Sequence, residues 1–155
     1  MAITVRNATR DDAPKVAEFA VALFELHAGW NPRRFTQVAT LDGATRFYGD
    51  RAEKGSVLVA ESDGEVVGFA YFEYEATAYA ELATRVVWLH DIFVDPAARG
   101  GGAGMALIDG VKNAAKELGA DKVLLTVAAE NAAGHKLFKS TGFEKTMDEM
   151  MLVID

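Results

Sequence analysis

The chain has 155 residues, half of them hydrophobic and a quarter charged, with three prolines and no cysteine. That composition fits one globular domain large enough to bury a core without staples, and excludes a disordered chain, a disulfide framework, a thiolate zinc site and a cysteine nucleophile. Sixteen Lys and Arg against 23 Asp and Glu leave a formal charge of −7, the wrong sign for non-specific nucleic-acid binding and the right one for drawing in cations such as amines. The longest apolar stretch, residues 19–24, is too short to span a bilayer. The opening MAITVRNATRDD has no basic leader before an apolar run. A cytosolic protein that binds no membrane, nucleic acid or metal is expected.

Ile3–Asn7 reads as a short strand. Thr9 follows as the N-cap of a helix whose first turn holds Asp11 and Asp12 at the positive end of the dipole. Val16, Phe19, Ala20, Leu23 and Leu26 recur at helical spacing to about residue 27, and Gly29 and Pro32 break the pattern. A second, weaker helix is expected around residues 41–52. From Ser56 the period becomes that of strands, with residues 57–61 and 66–75 flanking a turn at Asp63-Gly64. After a gap at 76–84, residues 86–94 are almost continuously apolar, the pattern of a strand buried on both faces. Residues 95–104 form a loop. Leu107, Ile108, Val111, Ala115 and Leu118 then line one face of a helix that stops at Gly119. Residues 122–128 read as another buried strand, 131–141 as a short helix closed by Gly142, and 145–154 as a last strand. No repeat or linker interrupts this order. It predicts a single α/β domain over residues 1–155, with a mixed sheet.

The most informative stretch is Val94-Asp95-Pro96-Ala97-Ala98-Arg99-Gly100-Gly101-Gly102-Ala103-Gly104, which leaves a strand and opens a helix. A bare helix N-terminus presents free N–H groups and a positive dipole end, glycines admit a phosphate close to the backbone, and Arg99 adds a positive charge. A pyrophosphate is the natural ligand; a flexible loop before an ordinary helix is the plainer alternative. The dinucleotide fingerprint fails because Met105 and Leu107 stand where its last glycine belongs, and no Gly-Lys pair makes a Walker loop.

Arg99-x-x-Gly102-x-Gly104 matches the [QR]-x-x-G-x-[GA] signature of the GNAT superfamily of N-acetyltransferases, and the preceding Val94-Asp95-Pro96 is similar to theirs. Asn131 with Leu137-Phe138-Lys139-Ser140-Thr141-Gly142-Phe143, and the opening Arg6-x-Ala8-Thr9-x-x-Asp12, resemble that family as well. The likeness covers nearly the whole chain. It implies a mixed central sheet splayed between two strands, with helices on both faces. It also implies acetyl-CoA as cosubstrate, its pyrophosphate held by the backbone of Gly100, Gly101, Gly102, Ala103 and Gly104 beside Arg99. The backbone of Ile92, Phe93 and Val94 would pair with the pantetheine arm, one amide there (Val94 by analogy) serving as oxyanion donor. Asn131 would touch the pantetheine or the far end of the cosubstrate, and Phe138 would stand beside the thiol.

An amine must lose a proton before it attacks a thioester, and histidine titrates in the useful range. His90 lies in Leu89-His90-Asp91-Ile92-Phe93-Val94, a run that resembles the Leu-Glu-Asp-apolar-apolar-Val pattern of diamine and polyamine acetyltransferases, with His90 where they carry a glutamate. Strand alternation puts His90 with Trp88, Ile92 and Val94 and sends Asp91 to the other face, against a direct dyad. His90 is the candidate base; Glu73 and Glu75, on one face of the preceding strand, are candidates for binding the amine or for the base itself. His27 and His135 read as ordinary helix residues. Phe138 is a departure, since the family commonly has a tyrosine there to protonate the departing thiolate; Tyr71, Tyr74, Tyr79, Ser140 or water could substitute. The expected partner is a small primary amine, and a homodimer is expected, with the final strand or residues 69–79 as interface. A non-catalytic acyl-CoA sensor, a protein or peptide amine acetyltransferase and a nucleotide-binding domain remain as alternatives.

Overall fold

The computed structural model describes residues 2–78 and 82–155. Five strands, β1 (Ile3–Asn7), β2 (Val57–Ser62), β3 (Glu65–Ala78), β4 (Ala83–Val94) and β5 (Lys122–Leu124), lie in that order across one sheet. The first three pairings are antiparallel and the last, β4 with β5, is parallel. Four helices complete the α/β fold: α1 (Ala13–Trp30), α2 (Leu41–Glu53), α3 (Ala103–Glu117) and α4 (Ala132–Ser140). Among the described residues no helix is long and apolar enough to cross a membrane.

Alternation along β2 and β3 divides the core in two. Val57, Val59, Phe69 and Tyr71 face α1 and α2, where Val16, Phe19, Ala20, Leu23 and Tyr48 meet them. Leu58, Ala60, Ala70 and Phe72 face α3 and its Leu107, Val111 and Ala115. Helices therefore cover both faces, as expected. Phe69, fully buried, contributes about 1.5–3 kcal/mol relative to exposure. The β2–β3 turn has positive φ at both Asp63 and Gly64, the mirror-image geometry that matches the twist of a hairpin. At the start of α1 the guanidinium of Arg6 grips both oxygens of Asp12 at 2.8 and 3.0 Å, while Asp12 accepts the Thr9 N–H at 2.7 Å. The opening motif is thus a cap that ties β1 to α1.

Several bounds differ from expectation: α1 continues through Gly29 to Trp30, and β3 and β4 extend into the gap expected at 76–84; two elements differ more deeply. β5 stops at Leu124 rather than reaching residue 128. It pairs only with residues 86–88 of β4, and beyond that point the extended chain has no ladder to join. Residues 145–154 form no strand, although their residues are strand-like. They follow α4 without joining any of the five strands, and a strand exists only through its partner's hydrogen bonds.

Candidate active site

The end of β5 opposite Trp88 leaves residues 89–94 of β4 with a ladder on the β3 side alone. An extended ligand can add to that open edge as a strand would. Ile92 and Val94 turn their side chains toward α3 and Phe93 turns toward α1, so the backbone is what this edge offers. The β3 strand approaches closely here: a Cβ on Gly68 would stand 2.7 Å from the Phe93 carbonyl oxygen.

The chain then turns through Asp95, whose carboxylate accepts the Ala97 N–H at 3.1 Å, and Arg99 folds back. The Arg99 Nε–H donates to the Val94 carbonyl at 3.1 Å and its guanidinium lies over the Phe93 ring, 5.6 Å from the centroid. Gly102 caps α3 in the left-handed region at φ 89°, with no capping side chain and no acidic residue in the first turn. The Ala106 N–H is bonded to the Gly102 carbonyl, so the amides of residues 103–105 precede the helical ladder and carry the positive end of its dipole. An anion is what this arrangement accepts. Gly100 shares the positive φ. Gly104 serves helix packing instead, since a Cβ there would meet Leu137 of α4 at 3.1 Å.

On the α4 side the Asn131 side-chain oxygen Oδ1 accepts the Gly134 N–H at 2.9 Å and caps that helix. Phe138 is buried, edge-on against Phe143 with centroids 5.6 Å apart. The His135 Nε2 lies 3.0 Å from the Ala128 carbonyl, and the His27 Nδ1 lies 2.8 Å from the Leu23 carbonyl. Both rings are fastened locally.

The register of β3 against β4 shifts at one point: Tyr71 faces Asp91, Phe72 faces Leu89, and His90 is the extra residue between them. This bulge corrects the alternation expected for the strand. Ile92 and Val94 go to the α3 side, while the exposed His90 stacks on Tyr71 toward α2, ring centroids 5.2 Å apart. Asp91 points the same way and accepts the Tyr48 hydroxyl at 2.6 Å. His90 and Asp91 share a face, because a bulge places successive side chains together where a regular strand would separate them. Burial pushes the Asp91 carboxyl above its usual range, against the opposing pull of the Tyr48 hydrogen bond and the nearby His90 and His27. Burial and Asp91 together raise the Tyr48 phenol.

Around this pair α2 supplies residues that sequence reasoning passed over: Phe47, Tyr48 and Arg51. Arg51 lies over the Phe47 ring at 4.2 Å and reaches Glu73 at 3.2 Å. The Tyr71 hydroxyl donates to Glu73 at 2.6 Å, and burial pushes that phenol up to about 12. Glu73 is therefore already paired, whereas Glu75 stands two residues on along the same face. Tyr74 lies on the α3 side, the Ser140 hydroxyl donates to the Leu137 carbonyl at 2.8 Å, and Tyr79 lies outside the described residues. Only the helical spacing of Tyr48 and Arg51 could have marked them, and that spacing is shared by any α2 face packed on a sheet. Among the described residues no group of three or more His, Asp or Glu is placed to hold a metal ion.

An uncapped helix start beside an open strand edge is also where the chain matches a known family. The model of the acetyltransferase (GNAT) family covers residues 18–143. The chain belongs to that family. It is 32% identical over 142 residues to the N-acetyltransferase MJ1207 of Methanocaldococcus jannaschii, 92% of this chain and 61% of that protein, so it spans less than two thirds of that relative. It is 30% identical over 145 residues to the N-acetyltransferase YhfO of Bacillus subtilis, 92% of this chain and 91% of the relative. The L-methionine sulfoximine/L-methionine sulfone acetyltransferase of Salmonella typhimurium is 28% identical, with 93% of this chain and 81% of that protein aligned. Among solved structures, the YncA acetyltransferase of Salmonella typhimurium with its cofactor acetyl-CoA superposes with a TM-score of 0.74 at 28% identity, covering 95% of this chain and 82% of that one. The GNAT resemblance and the α/β fold inferred from the sequence are confirmed, and the family is one of acyltransferase enzymes.

Proposed function

We propose that this protein transfers an acetyl group from acetyl-CoA to a small primary amine, by direct attack of the amine on the thioester. The observation that carries the reading is the open edge of β4 running into the uncapped start of α3. The amides of residues 100–104 and the remaining Arg99 donors would hold the pyrophosphate, and the backbone of Ile92, Phe93 and Val94 would pair with the pantetheine arm. An amide of that stretch, Val94 by family analogy, would stabilise the oxyanion. His90, exposed on its bulge and stacked on Tyr71, would take the proton from the attacking amine, directly or through a water. The carbonyl then re-forms, the C–S bond breaks and the thiolate leaves. A thiol pKa near 8.5 makes it a fair leaving group without an acid. That chemistry tolerates Phe138, which has no proton to give, and Ser140, whose proton is engaged by the helix.

The acceptor is read as a small amine, diamines and polyamines first, from the resemblance of the Leu89–Val94 run and the acidic balance of the chain. Arg51 supports a second reading. Its cation already answers Glu73, so the acceptor wall is less acidic than its carboxylates alone imply. A guanidinium fork there suits a carboxylate, as an amino-acid amine would carry, and a 28% identical relative acts on L-methionine sulfoximine and sulfone.

Thiol release from acetyl-CoA across diamines, polyamines, amino acids, aminoglycosides and a peptide amine tests both readings, and the protein has no cysteine to give background. Release that depends on one amine class is expected. If acetyl-CoA binds and no amine raises release, the protein is an acyl-CoA sensor. His90→Gln should lower kcat/KM by roughly 10²–10³-fold, the range of a lost general base, and erase the limb of the pH profile that reports the base. A loss under ten-fold with an unchanged profile overturns that role.

A further inference from the structure

His90 is the extra residue of the β4 bulge, so no residue of β3 stands opposite it and the ladder that aims its neighbours does not aim its side chain. A general base works when its ring is held, and the usual holder is a hydrogen bond from a third group. The other two histidines have such a partner, the Leu23 carbonyl for His27 and the Ala128 carbonyl for His135. Asp91, the neighbour of His90 in the bulge, is turned to the Tyr48 hydroxyl instead. Among the described residues, what orients the exposed ring of His90 is the face of Tyr71, with centroids 5.2 Å apart and planes 27° from parallel. Tyr71 is itself a fixed surface. It is 7% exposed, and Phe47 and Tyr48 stand edge-on to its ring at 5.4 and 5.8 Å. Its hydroxyl is held between Glu73 at 2.6 Å and the Arg51 Nε at 3.4 Å. Stacked rings are a favoured aromatic arrangement, and when one of the two cannot move it sets the plane of the other.

We propose that Tyr71 is the positioning residue of the base, fixing the imidazole plane of His90 by stacking where a hydrogen bond would ordinarily do so. The proposal rests on the reading of His90 as the base. Stacking has a chemical consequence that a hydrogen bond lacks, since it leaves both ring nitrogens free of a protein partner. The nitrogen that faces the amine takes its proton and the opposite nitrogen gives one to water. The ring is then neutral again with its tautomer exchanged, and one proton has passed from amine to solvent. The Tyr71 hydroxyl, donated to Glu73, holds the platform and is not offered to the departing thiolate.

A double-substitution cycle tests it. Tyr71→Leu should lower kcat at saturating amine by about ten-fold or more, because a misplaced catalytic group is costly, and leave the KM for acetyl-CoA within about two-fold. Tyr71→Phe keeps the ring face and should recover most of that loss. In a His90→Gln background Tyr71→Leu should cost nothing further, since a residue that acts through another has no effect once the other is gone. A loss there as large as in the wild type makes Tyr71 an ordinary core residue and overturns the proposal, while the base reading still stands on the effect of His90→Gln alone. A silent His90→Gln removes the base, and the proposal with it. Tyr71→Phe as slow as Tyr71→Leu overturns the proposal too, because the role then belongs to the hydroxyl. If Tyr71→Leu fails to fold, proton NMR decides. The ring protons of His90, assigned by their loss in His90→Gln, should lie upfield of those of His135 in the wild type and in Tyr71→Phe. Unshifted ring protons overturn the proposal.

Discussion

Asp91 is held by competing forces. It accepts the Tyr48 hydroxyl at 2.6 Å, yet burial raises its pKa above the unfolded value. For an acid so shifted, the folded state is favoured while the group is protonated, and that contribution is lost as pH rises from the unfolded value through the raised one. Two substitutions then part ways at pH 7. Asp91→Asn keeps an acceptor for Tyr48 and removes the buried charge, so its Tm should equal or exceed that of the wild type. Tyr48→Phe strands the carboxylate without its donor and should cost about 1–3 kcal/mol. Thermal melts at pH 4 and 7 separate the two; equal losses in both variants at pH 7 would contradict this account. Asp12 has the opposite sign. Its hydrogen bonds to Arg6 and the Thr9 N–H depress its pKa, so its contribution is present above the unfolded value and is lost as pH falls through the lowered one. In Asp12→Asn the acid limb of the stability curve should flatten.

The elements show what a sequence displays and what it withholds. Strand and helix periods were legible from α1 through α4 because each reports which face is buried, a property local to the segment. The bulge at His90 was not, since register belongs to the pairing of β3 with β4 and neither strand carries it alone; His90 was placed with Ile92 and Val94, away from Asp91, for that reason. Residues 145–154 have strand composition but join no ladder of the sheet. Phe47, Tyr48 and Arg51 were invisible as candidate site residues because α2 meets Tyr71, Glu73 and Asp91 only once the sheet is assembled. Gly68 is similar: it reads as an ordinary strand glycine until Phe93 is placed across from it. Gly68→Ala puts a Cβ 2.7 Å from a backbone oxygen, whereas Gly104→Ala meets the tip of a flexible Leu137 at 3.1 Å. The first should lower stability by about 1–3 kcal/mol and the second by less, read from denaturant midpoints at constant slope. Because Phe93 lies on the open edge, Gly68→Ala should also raise the KM for acetyl-CoA.

Across the whole molecule the formal charge of −7 would act in opposite senses on the two substrates proposed above, attracting a polycationic amine and repelling the anionic acetyl-CoA, whose proposed seat is the local positive patch at Arg99 and the start of α3. Salt screens such fields over about 10 Å at 0.1 M. Raising ionic strength should therefore raise the KM for a polyamine, lower that for acetyl-CoA and leave that of a zwitterionic amino acid nearly unchanged. Equal salt responses for polyamine and amino acid would mean that the overall field plays no part in acceptor choice. The sheet itself is indifferent to the residue on which the chemistry is proposed to turn. Tyr71 opposite Asp91 and Phe72 opposite Leu89 close the ladder on either side of His90, so removing that one codon would leave every strand pair in place and take away only the imidazole. On the proposed function, that single deletion would leave the binding of acetyl-CoA in place and abolish the transfer.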